Sequence, residues 1–461
     1  MAVEPRRPIA AYLDAAHCPA ERPSMDTMST TTRDLHHGLD EQARRTGVAY
    51  LHPDEPTVQQ DLLGSRRVID WQEGKAAFLF ASEGCWSELP PLYARYGTAA
   101  TAALIERVKA LEHATAALVC DSGMQATALT FDVLMEPGAH AVIMRQVYNK
   151  TRSYLERLAL RTGGAVTIVD DGDAAALRDA IRPETCLVFA ETFTNPLVRA
   201  QDLTTLRQVV TDARAVAPAL KLVLDTTIAS PWAFRVPPLD NGVDVVVASG
   251  TKSLGANDRD MWGYIATNDT AFANGVMDLV AMRGGILDWR RASAIALALD
   301  GAAEAHAHRC RSASVIAAFL AAHPRVEEVF HPSLAGHPDR AAIDAQYVRH
   351  GSMVSFRVKD ATEEQTRHYA DVLATTVIVR YALSFDGLAT KVNHHKTVSE
   401  YFTPIEQLKR NGFDRLIRLA VGMEDPDDLI AALNWTLHRG AGVTSEEIAR
   451  WQHARATELG L

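Results

Sequence analysis

Between residues 115 and 270 the chain alternates short apolar runs with longer stretches that have a helical pattern. The runs are AALVC (116–120), HAVIM (140–144), AVTIV (165–169), CLVFA (186–190), KLVLD (221–225), DVVVAS (244–249) and WGYIAT (262–267). Continuous apolar runs joined by helices indicate buried strands of a mainly parallel sheet covered on both faces. We therefore predict an α/β fold in which ligands bind beyond the carboxyl ends of the strands.

The pattern changes after about residue 300, where the strand candidates are fewer: RVEEVF (325–330), GSMVSFRV (351–358) and LIRLAV (416–421). A chain of 461 residues is too long for one small domain. We predict a large ligand-binding domain over 98–300 and a smaller α/β domain over 301–461. Residues 1–32 are expected to be a disordered extension, with Met25 and Met28 as alternative starts, and 33–97 an arm on a neighbouring subunit.

Composition narrows the classes of protein to which the chain can belong. The net charge is −10, and no basic stripe with interleaved aromatics is visible, which argues against a nucleic-acid partner. No run approaches the roughly 20 apolar residues of a membrane helix, and the N-terminus lacks the apolar segment of a secretory signal. The 5 cysteines are widely spaced without a CxxC motif, so we expect reduced thiols in a cytoplasmic protein.

Polar or aromatic groups follow several of the predicted strands, where one edge of the sheet would bring them together. They are Ser122–Met124 after AALVC, Tyr148 after HAVIM, Glu191 and Asn195 after CLVFA, Asp225 and Thr227 at the end of KLVLD, and Lys252 after DVVVAS. Lys252 is suited to a Schiff base with a carbonyl ligand, and Asp225 to keeping a ring nitrogen protonated. A lysine with an acidic pyridinium partner is the pair expected around pyridoxal phosphate.

The remaining strand-end groups suit the other parts of the same cofactor. Tyr148 can stack on a pyridine ring, and a helix that begins near Ser122 offers N–H groups to a phosphate, beside the hydroxyls of Ser249 and Thr251. Each signal alone has a commoner explanation, because most lysines are solvated and an aspartate after a strand is usually a cap or turn residue. Their order along successive strands favours the cofactor site.

A series of longer motifs extends this pattern over most of the chain. They are YARYGTA (93–99), SGMQA (122–126), YNKT (148–151), ETFTNP (191–196), DTTIASP (225–231), SGTKSLGANDRD (249–260), ALSFDGL (382–388) and RLAVGMED (418–425). In order and spacing they resemble the Cys/Met-metabolism pyridoxal-phosphate enzymes of fold type I, from about residue 33 to 438. That family includes cystathionine γ-synthase, the cystathionine lyases and methionine γ-lyase. The resemblance implies a mainly parallel seven-stranded sheet, with the cofactor bound in the large domain.

The resemblance implies a role for each matching residue. Lys252 is similar to the internal-aldimine lysine that shuttles protons, Asp225 to the pyridinium partner, and Tyr148 to a stacking ring that also acts as acid or base. Asn195 is similar to the residue that reaches the cofactor's phenolic oxygen. The other implied cofactor contacts are Ser122, Gly123, Met124, Thr227, Ser249 and Thr251.

Further matches imply a neighbouring subunit and an amino-acid substrate. Tyr93 and Arg95 are similar to residues that reach the phosphate of a neighbouring subunit, which implies a homo-oligomer, at least a dimer and most simply a dimer of dimers. Arg418 and Ser384 are similar to the groups that hold the substrate α-carboxylate. A guanidinium fork matches a planar carboxylate in a way that a lysine does not.

The chain departs from the family beside the expected substrate. Lys150 replaces a glycine after the stacking tyrosine, Leu383 replaces a glutamate, and ANDR (256–259) replaces GHSD. We expect Lys150 and Leu383 to contact the substrate and to alter its choice. As a cation, Lys150 would lower the pKa of Tyr148 or stabilise an anionic leaving group; the alternative is a solvated surface lysine.

The expected reaction is γ-elimination or γ-replacement on a γ-substituted L-amino acid that resembles methionine or homoserine. Both outcomes stay open, and so do the leaving groups: a thiol, an acyl or phosphate ester, or a halide from an unsaturated amino acid. The alternatives are an aminotransferase on the same fold and a catalytically inactive interaction protein. Neither HExxH nor Cys/His ligand spacing is present, so we expect no metal site.

Overall fold

Seven strands form the larger sheet of the computed structural model, which describes residues 94–254, 259–376, 379–401 and 403–458. The strands are β1 Ala116–Cys120, β2 His140–Met144, β3 Ala165–Val169, β4 Thr185–Glu191, β5 Lys221–Asp225, β6 Val245–Ala248 and β7 Gly263–Thr267. Their order is β1-β7-β6-β5-β4-β2-β3. Only β7 runs antiparallel to its neighbours, so the predicted mainly parallel α/β sheet is confirmed.

Helices connect these strands and cover both sides of the sheet. They are α1 Ala99–Glu112, α2 Gly123–Leu134, α3 Asn149–Thr162, α4 Ala174–Ala180, α5 Leu203–Ala213, α6 Thr270–Arg283 and α7 Trp289–Ala298. Most begin at a residue whose side-chain oxygen accepts an N–H of the first turn: Thr98, Ser122, Asp173, Asp202, Asp269 and Asp288. Such caps satisfy donors that the helix itself leaves free.

A second sheet follows, with β8 Val326–Phe330, β9 Met353–Val358, β10 Val379–Tyr381, β11 Thr390–His394 and β12 Ile417–Ala420 in the order β10-β11-β12-β9-β8. The sequence predicted β8, β9 and β12 as short strand candidates, whereas β10 is short and β11 is largely polar. The surrounding helices are α8 Ala302–Ala322, α9 Arg340–Gln346, α10 Glu363–Ala374, α11 His395–Val398, α12 Ile405–Asn411, α13 Pro426–Arg439 and α14 Ser445–Glu458. Short 3₁₀ turns lie at Pro231–Ala233, Leu299–Gly301 and Gly440–Gly442.

Each sheet has its own hydrophobic core. The larger core includes Val245, Val246 and Val247 of β6, and the smaller one is centred on β9, β12 and α13. Ile343 and Tyr347 come from beyond residue 300 but pack into the larger core, and the division at residue 300 remains a prediction. The expected extension over 1–32 and the arm, apart from 94–97, lie outside the described residues.

Two further sequence expectations concern the environment of the chain. The described cysteines, Cys120, Cys186 and Cys310, are buried free thiols. None of the helices within the described ranges is both long enough and apolar enough to cross a bilayer.

A buried acid lies behind the larger sheet. Glu112, the last residue of α1, is fully buried, and its Oε1 accepts the hydroxyl proton of Tyr264 at 2.5 Å. Its Oε2 has no hydrogen-bond partner among the described residues. Burial raises the pKa of Glu112 from 4.5 to about 7. Because the folded pKa is raised, this group stabilises the fold at low pH, and that contribution is lost as the pH rises from about 4.5 to 7.

We therefore predict that Glu112→Gln reduces the pH dependence of stability. Between pH 5 and pH 8 the wild-type free energy of unfolding should lose about 3 kcal/mol through this group, and the variant should lack that part. Urea unfolding at several pH values measures the difference. Glu106→Gln, on the exposed face of the same helix, is the control. A Glu112→Gln profile parallel to that of the wild type would contradict the prediction.

Candidate active site

The loops that follow β5 and β6 are joined at the carboxyl edge of the larger sheet. The N–H of Ser249 donates to Thr227 Oγ1 at 2.9 Å, and the Ser253 hydroxyl donates to the Thr227 carbonyl at 3.4 Å. Lys252 lies between these two serines, so its backbone is fixed relative to the end of β5. The lysine and Asp225, predicted from separate strands, are thus brought to one edge.

Asp225 ends β5 deep in the fold, yet part of its surface remains accessible. Its Oδ1 accepts the Thr227 N–H at 2.8 Å. Burial raises the pKa of Asp225 to about 6, and the two Thr227 donors oppose that rise. Among the described residues no Lys, Arg or His forms an ion pair with it. A desolvated carboxylate without a cation is costly, so this position fits a ligand that brings a protonated nitrogen.

Lys252 reaches from the larger sheet to a segment of the smaller one. Its Nζ donates to Ser384 Oγ at 2.5 Å and lies 4.9 Å from the centroid of the Phe385 ring. Phe385 in turn packs against the larger core. Lys252 and Ser384, which were expected to act on different parts of the ligands, are therefore in direct contact, and Phe385, which had no predicted role, lies beside them.

Arg418 lies on β12 and presents a buried guanidinium to the same segment. Its Nη1 donates to Asn195 Oδ1 at 3.1 Å, and its Nη2 to the Ser384 carbonyl at 3.3 Å. The guanidinium carbon is 5.6 Å from the Phe385 ring centroid. Burial lowers the pKa of Arg418 to about 10, which leaves it a cation at neutral pH. The Leu383 side chain is 78% exposed, and only its carbonyl approaches Arg418, at 3.5 Å.

Tyr148 immediately precedes α3, with its ring 45% exposed. Its N–H donates to Glu191 Oε1 at 2.5 Å. Burial raises the pKa of the Tyr148 phenol, and the charge of Arg418 opposes that rise. Lys150 is exposed on the first turn of α3 and forms no hydrogen bond or ion pair with any described residue. The cation that acts on Tyr148 in this structure is therefore Arg418 and not, as expected, Lys150.

Two close backbone approaches shape a cradle at the start of α2. A Cβ added to Gly123 would lie 2.5 Å from the Cβ of Ser249, and one added to Gly263 would lie 2.5 Å from the Ser122 carbonyl oxygen. The first N–H groups of α2, at Gly123 and Met124, point away from the helix without intrahelical partners. This geometry fits the phosphate of pyridoxal phosphate.

The hydroxyls predicted around that phosphate differ in their availability. Ser122 Oγ caps α2 by accepting the N–H of Gln125 at 3.2 Å. Thr251 Oγ1 donates to the Trp262 carbonyl at 3.0 Å and accepts the Trp262 N–H at 2.9 Å. The hydroxyl proton of Thr251 is thus donated to the segment just before β7, and the hydroxyl would have to rotate before it could donate to a phosphate.

Two predictions concern residues and ions at the edge of the site. Tyr93 lies outside the described residues, and Arg95 Nη1 donates to the Ala281 carbonyl at 2.6 Å within its own chain; their contact with a neighbouring subunit remains a prediction. Within the described part of the chain no group of His, Cys, Asp or Glu side chains is arranged to hold a metal ion.

Comparison with known proteins agrees with this geometry. Residues 76–438 match the family described as Cys/Met metabolism PLP-dependent enzymes. Cystathionine gamma-synthase of Mycobacterium bovis is 32% identical over 352 residues, which cover 75% of this chain and 86% of that protein. L-methionine gamma-lyase of Fusobacterium nucleatum is 29% identical over 386 residues, which cover 82% of this chain and 95% of that protein.

A solved structure extends the similarity to the fold. Cystathionine gamma synthase from Xanthomonas oryzae pv. oryzae, in complex with aminoacrylate and cysteine, is 25% identical and superposes with a TM-score of 0.71. The match covers 77% of this chain and 89% of that one. This chain belongs to the Cys/Met-metabolism family of PLP-dependent enzymes, and its cofactor is pyridoxal 5′-phosphate.

Proposed function

We propose that the protein catalyses γ-elimination or γ-replacement on a γ-substituted L-amino acid. The observation that carries this proposal is the contact of two cations, Lys252 and Arg418, with the same short segment, Ser384–Phe385. An amino acid has one nitrogen and one carboxylate on the same carbon. A lysine that exchanges for the nitrogen and an arginine that binds the carboxylate would hold such a substrate by both groups.

The residues around the cradle would hold the cofactor in a single orientation. The α2 N-terminus at Gly123 and Met124, with Ser249, would bind its phosphate, and Asp225 would pair with its ring nitrogen. Tyr148 would lie against its ring. Pyridoxal phosphate, when bound, supplies an aldehyde that bonds to amines and a ring that takes up electrons from the substrate Cα.

The chain's own groups would then move protons at the substrate. Lys252 Nζ would take the proton from Cα, release it again, and then take one from Cβ, which allows a substituent on Cγ to leave. Arg418 fixes the carboxylate, so that the Cα–H bond keeps one orientation. The Tyr148 phenol, with its pKa raised by burial, remains protonated at neutral pH and is suited to donating a proton to a leaving group.

The finer features of the function are further parts of this proposal. The substrate is a small amino acid resembling methionine or homoserine, and Leu383 and the exposed Lys150 would lie beside its γ-substituent and alter which one is accepted. The leaving group would be a thiol, an acyl or phosphate ester, or a halide from an unsaturated amino acid. We place the enzyme in the cytoplasm, as a homo-oligomer completed by Tyr93 and Arg95 from a neighbouring subunit.

A product screen tests the reaction itself. Homoserine esters, cystathionine, methionine and γ-halogenated amino acids are each supplied with and without a thiol, and the products are identified by mass spectrometry. We expect α-keto acid and ammonia by elimination, or a new thioether by replacement, with turnover abolished in Lys252→Ala and retained in Lys359→Ala, an exposed lysine. Turnover by Lys252→Ala would contradict the mechanism, and transfer of the amino group to the cofactor would indicate an aminotransferase.

Replacing Arg418 tests the carboxylate contact. A charge-assisted hydrogen bond contributes about 1.5–3 kcal/mol, so Arg418→Leu should raise KM about 10- to 100-fold, with a smaller rise for Arg418→Lys. Steady-state kinetics measure the change, and the visible absorption of the bound cofactor checks that the site is intact. Arg410→Leu, on the exposed side of α12, serves as the control. An unchanged KM in Arg418→Leu would mean that the carboxylate binds elsewhere.

Replacing Lys150 tests the leaving-group hypothesis. If this cation stabilises an anionic leaving group, Lys150→Ala should lower kcat/KM at least about tenfold for ester or halide substrates and less for thioethers. Arg157→Ala, an exposed cation on the same helix, is the matched control. Equal kcat/KM values for Lys150→Ala and wild type with the true substrate would assign Lys150 to the solvated surface.

A further inference from the structure

Glu191 is an acid with no part in the proposed reaction, although it lies beside Asp225, which has one. Glu191 ends β4 directly opposite Asp225, which ends β5, in the parallel pairing of the two strands. Paired residues on parallel neighbouring strands point to the same side of the sheet, about 4.8 Å apart. Asp225 keeps accessible surface, whereas Glu191 is 6% exposed. The aspartate therefore faces the cleft and the glutamate lies behind it.

Glu191 also fixes the backbone from which Tyr148 projects. Its Oε1 accepts the Tyr148 N–H at 2.5 Å, and no side chain caps α3 at this position. The following residue, Thr192, donates both its N–H and its hydroxyl to the Asp225 carbonyl, at 3.0 and 3.2 Å. One short segment thus connects the predicted stacking ring to the predicted partner of the ring nitrogen.

The charges around Glu191 disfavour a second carboxylate at this place. The acidic groups that face it are Asp225 from β5 and Asp171 from the loop after β3, and Tyr148 approaches from α3. No Lys, Arg or His of the described chain forms an ion pair with it; Arg199 acts on Asp171 instead. Burial, reinforced by the charge of Asp225, raises the pKa of Glu191 well above its usual range. The Thr227 donors limit the rise of the Asp225 pKa, so the pKa values of the two acids differ.

We propose that Glu191 is a positioning residue that stays protonated, so that it orients Tyr148 while leaving Asp225 as the one ionised carboxyl facing the cofactor ring. The inference rests on the proposed function insofar as Asp225 and Tyr148 contact the cofactor. A neutral neighbour avoids repulsion between two desolvated carboxylates, and the proton goes to the acid that no ligand reaches. In this pair of acids the surroundings alone would determine that Asp225 is ionised and Glu191 is protonated.

Two substitutions distinguish a protonated Glu191 from an ionised one. Glutamine is uncharged and its amide oxygen can still accept the Tyr148 N–H, so Glu191→Gln should bind pyridoxal phosphate within about threefold of wild type from pH 6 to pH 8. Glu191→Ala loses that contact and should bind about tenfold more weakly. Titration of the full-length apoprotein with the cofactor, followed by visible absorption, measures both. A tenfold loss in Glu191→Gln would show that the ion is needed and overturn the proposal.

An infrared spectrum reports the proton directly and remains informative if Glu191→Ala does not fold. At pH 7 the wild-type holoprotein should show a protonated-carboxyl band that Glu191→Gln lacks and Asp225→Asn retains. A band unaffected by Glu191→Gln would overturn the proposal. Glu112→Gln identifies the contribution of the other buried acid with a raised pKa. None of these measurements uses an amino-acid substrate, so a failure of the proposed reaction would be seen separately, in the product screen.

Discussion

Asp225 is held at the end of β5 by donors from Thr227, in a place where no described cation pairs with it. A desolvated carboxylate is stabilised by a positive charge brought close to it, and the protonated ring nitrogen of pyridoxal phosphate supplies one. The other groups of the site are arranged around that requirement. The Gly123 cradle lies on one side, Tyr148 is fixed through Glu191, and Lys252 follows the next strand.

The site is completed only where the two sheets meet. Lys252 comes from the larger sheet, whereas Ser384, Phe385 and Arg418 come from the part of the chain that builds the smaller one. The centroid of the Phe385 ring lies 4.9 Å from the lysine Nζ and 5.6 Å from the guanidinium carbon, and the ring packs against the larger core. A substrate held by both cations, as we propose, would therefore bind at the junction of the sheets, next to residues 383–385.

Much of the fold and of the candidate site could be predicted from the sequence, for physical reasons that differ between residues. The seven strands of the larger sheet are uninterrupted apolar runs, and parallel strands necessarily bring their carboxyl ends to one edge, which placed Asp225 and Lys252 together. β11 escaped prediction because most of its residues are polar. The Thr251 hydroxyl, the exposure of Lys150 and the contact of Glu191 with Tyr148 depend on packing between distant segments, which no local pattern encodes.

Lys252 is, in our proposal, the residue to which the cofactor bonds. Reduction of the holoprotein with borohydride makes the bond between a lysine and the cofactor's aldehyde permanent, and proteolysis with mass spectrometry then locates it. We expect one modified peptide, carrying the cofactor on Lys252, with the visible absorption band lost on reduction. Stoichiometric modification of another lysine, or a cofactor that washes off unreduced, would contradict that proposal.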